Sequence, residues 1–527
     1  MSTCSTGVLD CDLHPSAVGC APYDGAFMVL ESSEWLAVLS FVAMGVMAFY
    51  VGANDVANAF GTSVGSRAIS IKWALVLGGV ANWAGSVTLG YGVSNTVQSG
   101  VADVGDADCW ACGYCDSQMS VYAVGMLAAL ISAATFICAA TFMAMPVSTT
   151  HAIVGAVIGM TIFQVGGGCL DWNFTDGLSG IVASWAISPV MSGLIGIAVH
   201  MVTTRTIMAS KHPVRNALAS LPALYGLCSF TLLFMILLKS PYTETWSKGY
   251  MAIVSGGVGL LATVLVVLLL VPVVRARLPS KTGDELVAIP GRNSEARPRK
   301  SDYDHSLVVT PTGEVEELDE FDRPSRARGY SVDSYTSSTE DDVFFEEYSK
   351  LTADEKDAMF VFRYLLIVVA TVNSYAHGAN DTANATGPMG AIYRAYTSGL
   401  DACATAETDE WVMAIAGGCI CLGVVVQGIP VMRTIGSRIS VIDMHRAFSM
   451  EISSTITVVV ATLLNAPVST THCQVGSVLF VSMYGLGWRN VSFPMMGRIV
   501  LSWLFTVPVS ALGAAFLTIV FRSAIVQ

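Results

Sequence analysis

Two short motifs occur twice in this chain, in the same order, and they restrict its fold more than any other feature. GANDVANAFG at 52–61 returns as GANDTANATG at 378–387, and PVSTTHAIVGAVIG at 146–159 returns as PVSTTHCQVGSVLF at 467–480. The offsets agree, 378 − 52 = 326 and 467 − 146 = 321, and a Ser-Trp pair at 184–185 and 502–503 continues the register (502 − 184 = 318). Any fold for this chain must set two related units around a shared centre.

The solvent of that fold is lipid. Of the 527 residues, 53% are hydrophobic and 13% charged, with mean hydropathy +0.60, a composition foreign to soluble cores. Runs such as WLAVLSFVAMGVMAFYVGA from Trp35 and GGVGLLATVLVVLLLVPVV from Gly256 approach the ~20 residues that cross a bilayer. The expected fold is an all-α polytopic membrane protein. About 12 crossings are expected in two inverted-topology repeats, with broken or re-entrant helices, near 35–60, 73–92, 120–144, 147–165, 181–202, 218–238, 250–274, 361–386, 411–430, 447–465, 467–485 and 498–520.

Orientation follows from Lys and Arg, which concentrate in short cytoplasmic loops. None occurs from Met1 to Ser66 or between Trp73 and Thr204, whereas Arg205, Lys211 and Arg215 share one loop and Arg275, Arg277 and Lys281 another. Both termini are therefore expected outside, and the first span, with no basic leader before it, is expected to target the chain. Residues 1–34 form an outer segment, 35–202 the first repeat, 203–274 connecting helices, 275–357 a cytoplasmic loop and 358–522 the second repeat. The 275–357 segment, rich in Ser and acid and carrying SSTEDD at 337–342, lacks apolar periodicity and is expected to be a disordered linker. Ser337 and Ser338 in it are candidate phosphorylation sites. The net charge of −13 is no argument for nucleic acid, because much of the acid lies in this segment.

On this map Cys4, Cys11, Cys20, Cys109, Cys112, Cys115, Cys169 and Cys403 lie on the oxidising side, where disulfides form. CWACGYC at 109–115 has no His nearby, which disfavours zinc. Asn173 in NFT is an outward glycosylation acceptor, and Asn490 in NVS faces inward.

An aspartate inside a membrane is functional by default, and here it recurs. Asn54, Asp55 and Asn58 lie within about 100° of a helix surface and offer hard oxygen ligands for sodium; Asn380, Asp381 and Asn384 repeat them. Gly52 loosens the helix before them, so that freed carbonyls can join the coordination. Pro146, followed by Ser148, Thr149, Thr150 and His151, reads as a half-helix starting within the membrane, as do Pro467, Ser469, Thr470, Thr471 and His472. Free N–H groups at such a start, with adjacent hydroxyls, suit a tetrahedral oxyanion. His151 and His472 either orient a hydroxyl or cap the helix.

With both motif pairs in view, the sequence resembles the inorganic phosphate transporter family that includes the sodium-dependent phosphate symporters. The resemblance spans about 35–275 and 360–520. It implies phosphate uptake coupled to sodium or, in some members, to protons, with cation ligands at Asp55, Asn58, Asp381 and Asn384. It also implies phosphate contacts at Ser148, Thr149, Thr150, Ser469, Thr470 and Thr471. Glu451 in FSMEISS resembles a further acidic position of the family. Relatives often carry Glu where this chain has Asn82 before GSVTLG, which bears on the number or identity of coupled ions.

The expected protein is thus a plasma-membrane secondary transporter rather than an enzyme. Phosphate and sodium are its solutes, the bilayer its surroundings and a homodimer a possible assembly; no cofactor is expected beyond the co-transported ion. Another tetrahedral anion such as sulfate, proton coupling, an intramembrane hydrolase using Ser148, His151 and Asp55, and a phosphate sensor are the rival readings.

Overall fold

The structure, a computed structural model, describes residues 8–9, 11, 16–21, 34–104, 108–111, 114–115, 119–174, 177–282, 307–309, 315–317, 348–398, 408–464 and 466–525. Cys4, Cys112, Cys403, Ser337, Ser338 and most of the 275–357 segment lie outside the described residues.

Apolar sequence without water to satisfy its backbone must close its hydrogen bonds locally, and nearly everything described is helix. The helices are α1 (Glu34–Gly65), α2 (Ile71–Ser99), α3 (Met119–Phe142), α4 (Thr149–Gln164), α5 (Leu178–Thr203), α6 (Pro213–Lys239), α7 (Lys248–Leu265), α8 (Val271–Ala276) and α9 (Pro279–Thr282). After the loop come α10 (Ala353–Asp381), α11 (Ala383–Ser398), α12 (Glu410–Gln427), α13 (Ile429–Arg433), α14 (Met444–Leu463), α15 (Thr470–Gly485) and α16 (Phe493–Ile525). One short antiparallel pair, β1 (Leu307–Val309) and β2 (Val315–Glu317), lies in the loop. Eight helical stretches among the described residues are long and apolar enough to cross a membrane. They coincide with eight of the expected crossings; the others are helices α2, α4, α14 and α15. Of these, α4 and α15 are short, with 16 residues each, about 24 Å of rise.

The helices sort into two groups, each drawn from both copies. In one, α1 packs on α12 and α2 on α10, with α11 alongside; in the other, α4 packs on α16 and α15 on α5, with α3 and α14 beside them. Glycines make the crossings close. A Cβ on Gly52 would stand 2.1 Å from the Ile420 carbonyl oxygen and one on Gly378 2.0 Å from that of Asn82. One on Gly85 would stand 1.9 Å from the Tyr375 oxygen and one on Gly423 1.8 Å from that of Phe49. These contacts are related in pairs (378 − 52 = 375 − 49 = 326; 423 − 85 = 420 − 82 = 338), so α12 continues the repeat from α2 at an offset the motifs do not reveal. Gly52 therefore loosens nothing: α1 runs unbroken through it, because its missing side chain is used for close packing. Only the second copy has an interruption nearby, at Thr382 between α10 and α11.

Arg363, near the start of α10, donates to the Ala68 carbonyl just past the end of α1 at 2.6 Å. Phe41, near the start of α1, meets Tyr393 near the end of α11 with ring centroids 5.9 Å apart. Disulfides join Cys11 to Cys20 and Cys109 to Cys169, and Cys115 is also disulfide-bonded. Their use of Cys109 and Cys115 removes the zinc alternative for CWACGYC.

Candidate functional site

Each PVSTTH segment is the turn of a helical hairpin, α3–α4 or α14–α15. Ala144 takes a left-handed φ of 54°, ending α3 before Pro146. The chain then runs extended through Ser148 (φ −86°, ψ 114°), whose hydroxyl accepts the His151 N–H at 3.2 Å and so caps α4. Ser469 does the same for α15 through the His472 N–H, also at 3.2 Å.

The GAND asparagines hold these turns. Asn54 donates to Thr141 Oγ1 and to the Met145 carbonyl, both at 3.0 Å, and accepts the Val147 N–H at 3.1 Å. Asn380 donates to Thr462 Oγ1 at 3.4 Å and the Ala466 carbonyl at 3.1 Å. The motif pattern grouped both with the cation ligands; in the fold their side chains bond the hairpin turns.

The remaining motif residues bond both within each copy and across the two. The Thr149 hydroxyl donates to Asp55 at 2.9 Å and that of Thr470 to Asp381 at 2.7 Å. Asn58 reaches Thr470 and Thr471 of the other copy at 3.2 and 2.9 Å, and Asn384 reaches Thr149 and Thr150 at 3.1 and 3.3 Å. Thr471 also lies 3.2 Å from Asp55. Every candidate residue is at most 4% exposed, so the site is closed. Asn58 Oδ1 and Asp381 Oδ1 are buried with no hydrogen-bond partner, oxygens that a desolvated cation would satisfy.

His377 is the residue the motifs did not flag. Its Nε2 lies 3.0 Å from Asp381 and 3.6 Å from Asp55, while Nδ1 bonds the Asn82 side-chain oxygen. One ligand atom from each of Asp55, His377 and Asp381 fits within 4.8 Å, a spacing suited to one ion. The signal was available: His377 stands before the second GAND where the first copy has Val51 (377 − 326 = 51).

His151 and His472 do neither task expected of them. The His151 ring lies on Trp185 at 3.9 Å, His472 on Trp503 at 3.8 Å, and the two imidazoles meet at 4.4 Å. They are a packing clasp between the copies. Glu451, 0% exposed, accepts from Thr62 at 2.7 Å, Asn373 at 2.6 Å and Gln474 at 3.2 Å. Thr62 follows Asp55 and Asn58 on the same face of α1, about two turns and one turn along, and Asn373 also donates to the Asn58 carbonyl at 3.2 Å, so Glu451 is linked to the site through α1.

Buried carboxylates, paired hairpin turns and membrane-length helices define a multi-pass membrane transport protein. The chain belongs to the phosphate transporter family, whose model matches residues 51–514. It is 26% identical to the phosphate-repressible phosphate permease of Neurospora crassa, over 92% of this chain and 97% of that one. It is 27% identical to sodium-dependent phosphate transporter 1-A of Danio rerio (94% and 96%) and 30% identical to a putative phosphate permease of Chlamydia trachomatis (90% and 96%). A solved structure described as the sodium-dependent phosphate transporter superposes with a TM-score of 0.71 at 26% identity, covering 93% of this chain and 99% of that one.

Proposed function

We propose that the chain imports inorganic phosphate together with sodium at the plasma membrane, both solutes meeting at mid-bilayer between two copies of opposite orientation. Opposite orientation is supported by the pairing of the end of α1 with the start of α10, and of the start of α1 with the end of α11. Twelve helices enter the membrane: α1 to α7, α10 with α11 as one, α12, α14, α15 and α16. Four of them, α3–α4 and α14–α15, form hairpins that turn at the depth of the site, one entering from each side.

The observation that carries the reading is that two carboxylates, Asp55 and Asp381, share one closed space with the hydroxyls of Thr149, Thr150, Thr470 and Thr471. Hydroxyls at two helix starts favour a tetrahedral oxyanion, yet the carboxylates repel it. Both are satisfied when cations enter with the anion: sodium at Asp55, Asn58, Asp381 and Asn384, and phosphate between the helix starts, with Ser148 and Ser469 shaping them as caps. Carrying HPO₄²⁻ into a negative interior costs about 4.6 kcal/mol at 100 mV, which two sodium ions cancel.

Access then alternates. Because each copy is threaded through the other at glycine crossings, the moving bodies are the two mixed helix groups rather than the repeats themselves. A proton in place of one sodium is the second reading, favoured by the Asn82 side-chain oxygen bonding His377 beside the two carboxylates.

The test is uptake of radiolabelled phosphate into vesicles holding the purified protein, with an inward sodium gradient, then choline, then an inward proton gradient. Accumulation only with sodium supports the first reading and accumulation only with protons the second; excess unlabelled sulfate that abolishes uptake would sink phosphate selectivity.

A further inference from the structure

Away from the site, the two ends of the long polar segment are tied at one point. Ser280 in α9 donates its N–H to Asp357 Oδ1 at 2.9 Å and its hydroxyl to Oδ2 at 2.5 Å. Asp357, one turn into α10, is 3% exposed, whereas Ser280 is exposed. Both oxygens of a buried carboxylate are thus engaged by one surface serine. The chain around that serine is basic: Arg275, Arg277 and Lys281 are all exposed, and no ion pair holds them among the described residues.

We propose that Ser280 is a phosphorylation site whose modification unties this neck. Arginines three and five residues before the serine (280 − 277 = 3; 280 − 275 = 5) are the charge pattern that a serine kinase with an acidic substrate cleft reads. The Ser280 hydroxyl attacks the γ-phosphorus of a nucleoside triphosphate; an O–P bond forms there, the bond to the β-phosphate oxygen breaks, the diphosphate leaves and the hydroxyl proton passes to the kinase's base. The product has lost the hydrogen that bonded Asp357 Oδ2 and sets a phosphate dianion against a buried carboxylate. Like charges separate, and the phosphate has new partners in Arg275, Arg277 and Lys281. Helix α9 then leaves α10, which runs without a break from this junction to Asp381 of the candidate site, so loosening its end disturbs the closed site. The inference rests on the proposed placement of residues 275–357 in the cytoplasm, where nucleoside triphosphates are available.

The experiment treats the full-length purified protein with an arginine-directed serine kinase and γ-labelled ATP, maps the label by mass spectrometry, and measures phosphate uptake by S280A, S280E, D357N and S280E/D357N. Expected are label on Ser280 that S280A lacks, and an initial uptake rate about fivefold lower in S280E than in S280A at equal reconstituted amounts. Removing the opposing charge in S280E/D357N should restore the rate, which general damage to the fold would not do. Absence of label on Ser280, or equal rates in S280E and S280A, overturns the proposal. Loss of uptake in every form including the unmodified protein would instead strike the transport reading, and the label would still decide whether Ser280 is modified.

Discussion

The two copies of the repeat share a frame and differ in chemistry. Asn54 and Asn380 hold equivalent hairpin turns, Ser148 and Ser469 cap equivalent helices, and Asn58 and Asn384 cross to equivalent threonine pairs. Beside this frame each copy is polar at places where the other is apolar. His377, Asn373, Glu451 and Gln474 of the second copy stand where the first has Val51, Met47, Leu130 and Ile153, whereas Asn82 and Ser86 of the first stand where the second has Ile420 and Val424. Groups repeated by duplication meet in equivalent pairs, whereas a group found in one half, such as His377 between Asp55 and Asp381, serves both halves at once. On the proposed function, ligand contact is shared between the copies, and the groups that the copies do not share, joined at the His377–Asn82 bond, set the ion coupling.

The strongest way to break this view is at the shared frame. Asp55→Asn and Asp381→Asn should each lower sodium-stimulated phosphate uptake by about 100-fold or more at normal membrane abundance; a large difference between them would show that the frame is not functionally symmetric. Next comes the one-sided chemistry. Converting His377 to Val, or Glu451 to Leu together with Gln474→Ile and Asn373→Met, gives the second copy the side chains of the first. The protein should fold, yet uptake should fall about tenfold or more and its dependence on sodium concentration should change. Uptake that keeps its cation dependence in both would remove the asymmetry from the mechanism.

Smaller effects follow at the crossings and the ends. Gly378→Ala places a methyl against the Asn82 carbonyl, and overpacking of this kind should cost about 1–3 kcal/mol, read as a lower thermal midpoint in detergent. Gly52→Ala should match it if the crossings are equivalent. Cys109→Ser with Cys169→Ser opens a link spanning 60 residues and should cost about 2–4 kcal/mol of stability, with uptake per molecule nearly unchanged. Least disruptive is Asn173→Gln, which should abolish a glycan-dependent mobility shift in a glycosylating host and leave uptake alone, while Asn490→Gln should change neither. A glycan on Asn490 would reverse the proposed orientation.

What the sequence determined by itself was whatever residue type alone decides. Apolar runs require membrane helices because unpaired backbone is costly in lipid. A duplicated Asp inside such a run marks a candidate site, and Pro followed by Ser-Thr-Thr reads as a capped helix start, which Ser148 and Ser469 form. Asp55, Asp381 and the threonines of both turns were legible for that reason. The rest depended on which helix lies beside which. Sequence could not show that Asn54 and Asn380 turn to the hairpins while Asn58 and Asn384 cross between copies, since all four sit on one face of their own helices. Nor could it show that Gly52 meets a backbone rather than loosening one, or that the two histidines pack on Trp185, Trp503 and each other. His377 and Glu451 are also bonded to partners far along the chain, Asn82 and Thr62, that local pattern could not supply. Local pattern fixes what a residue can offer, and only tertiary packing brings up the group that receives it.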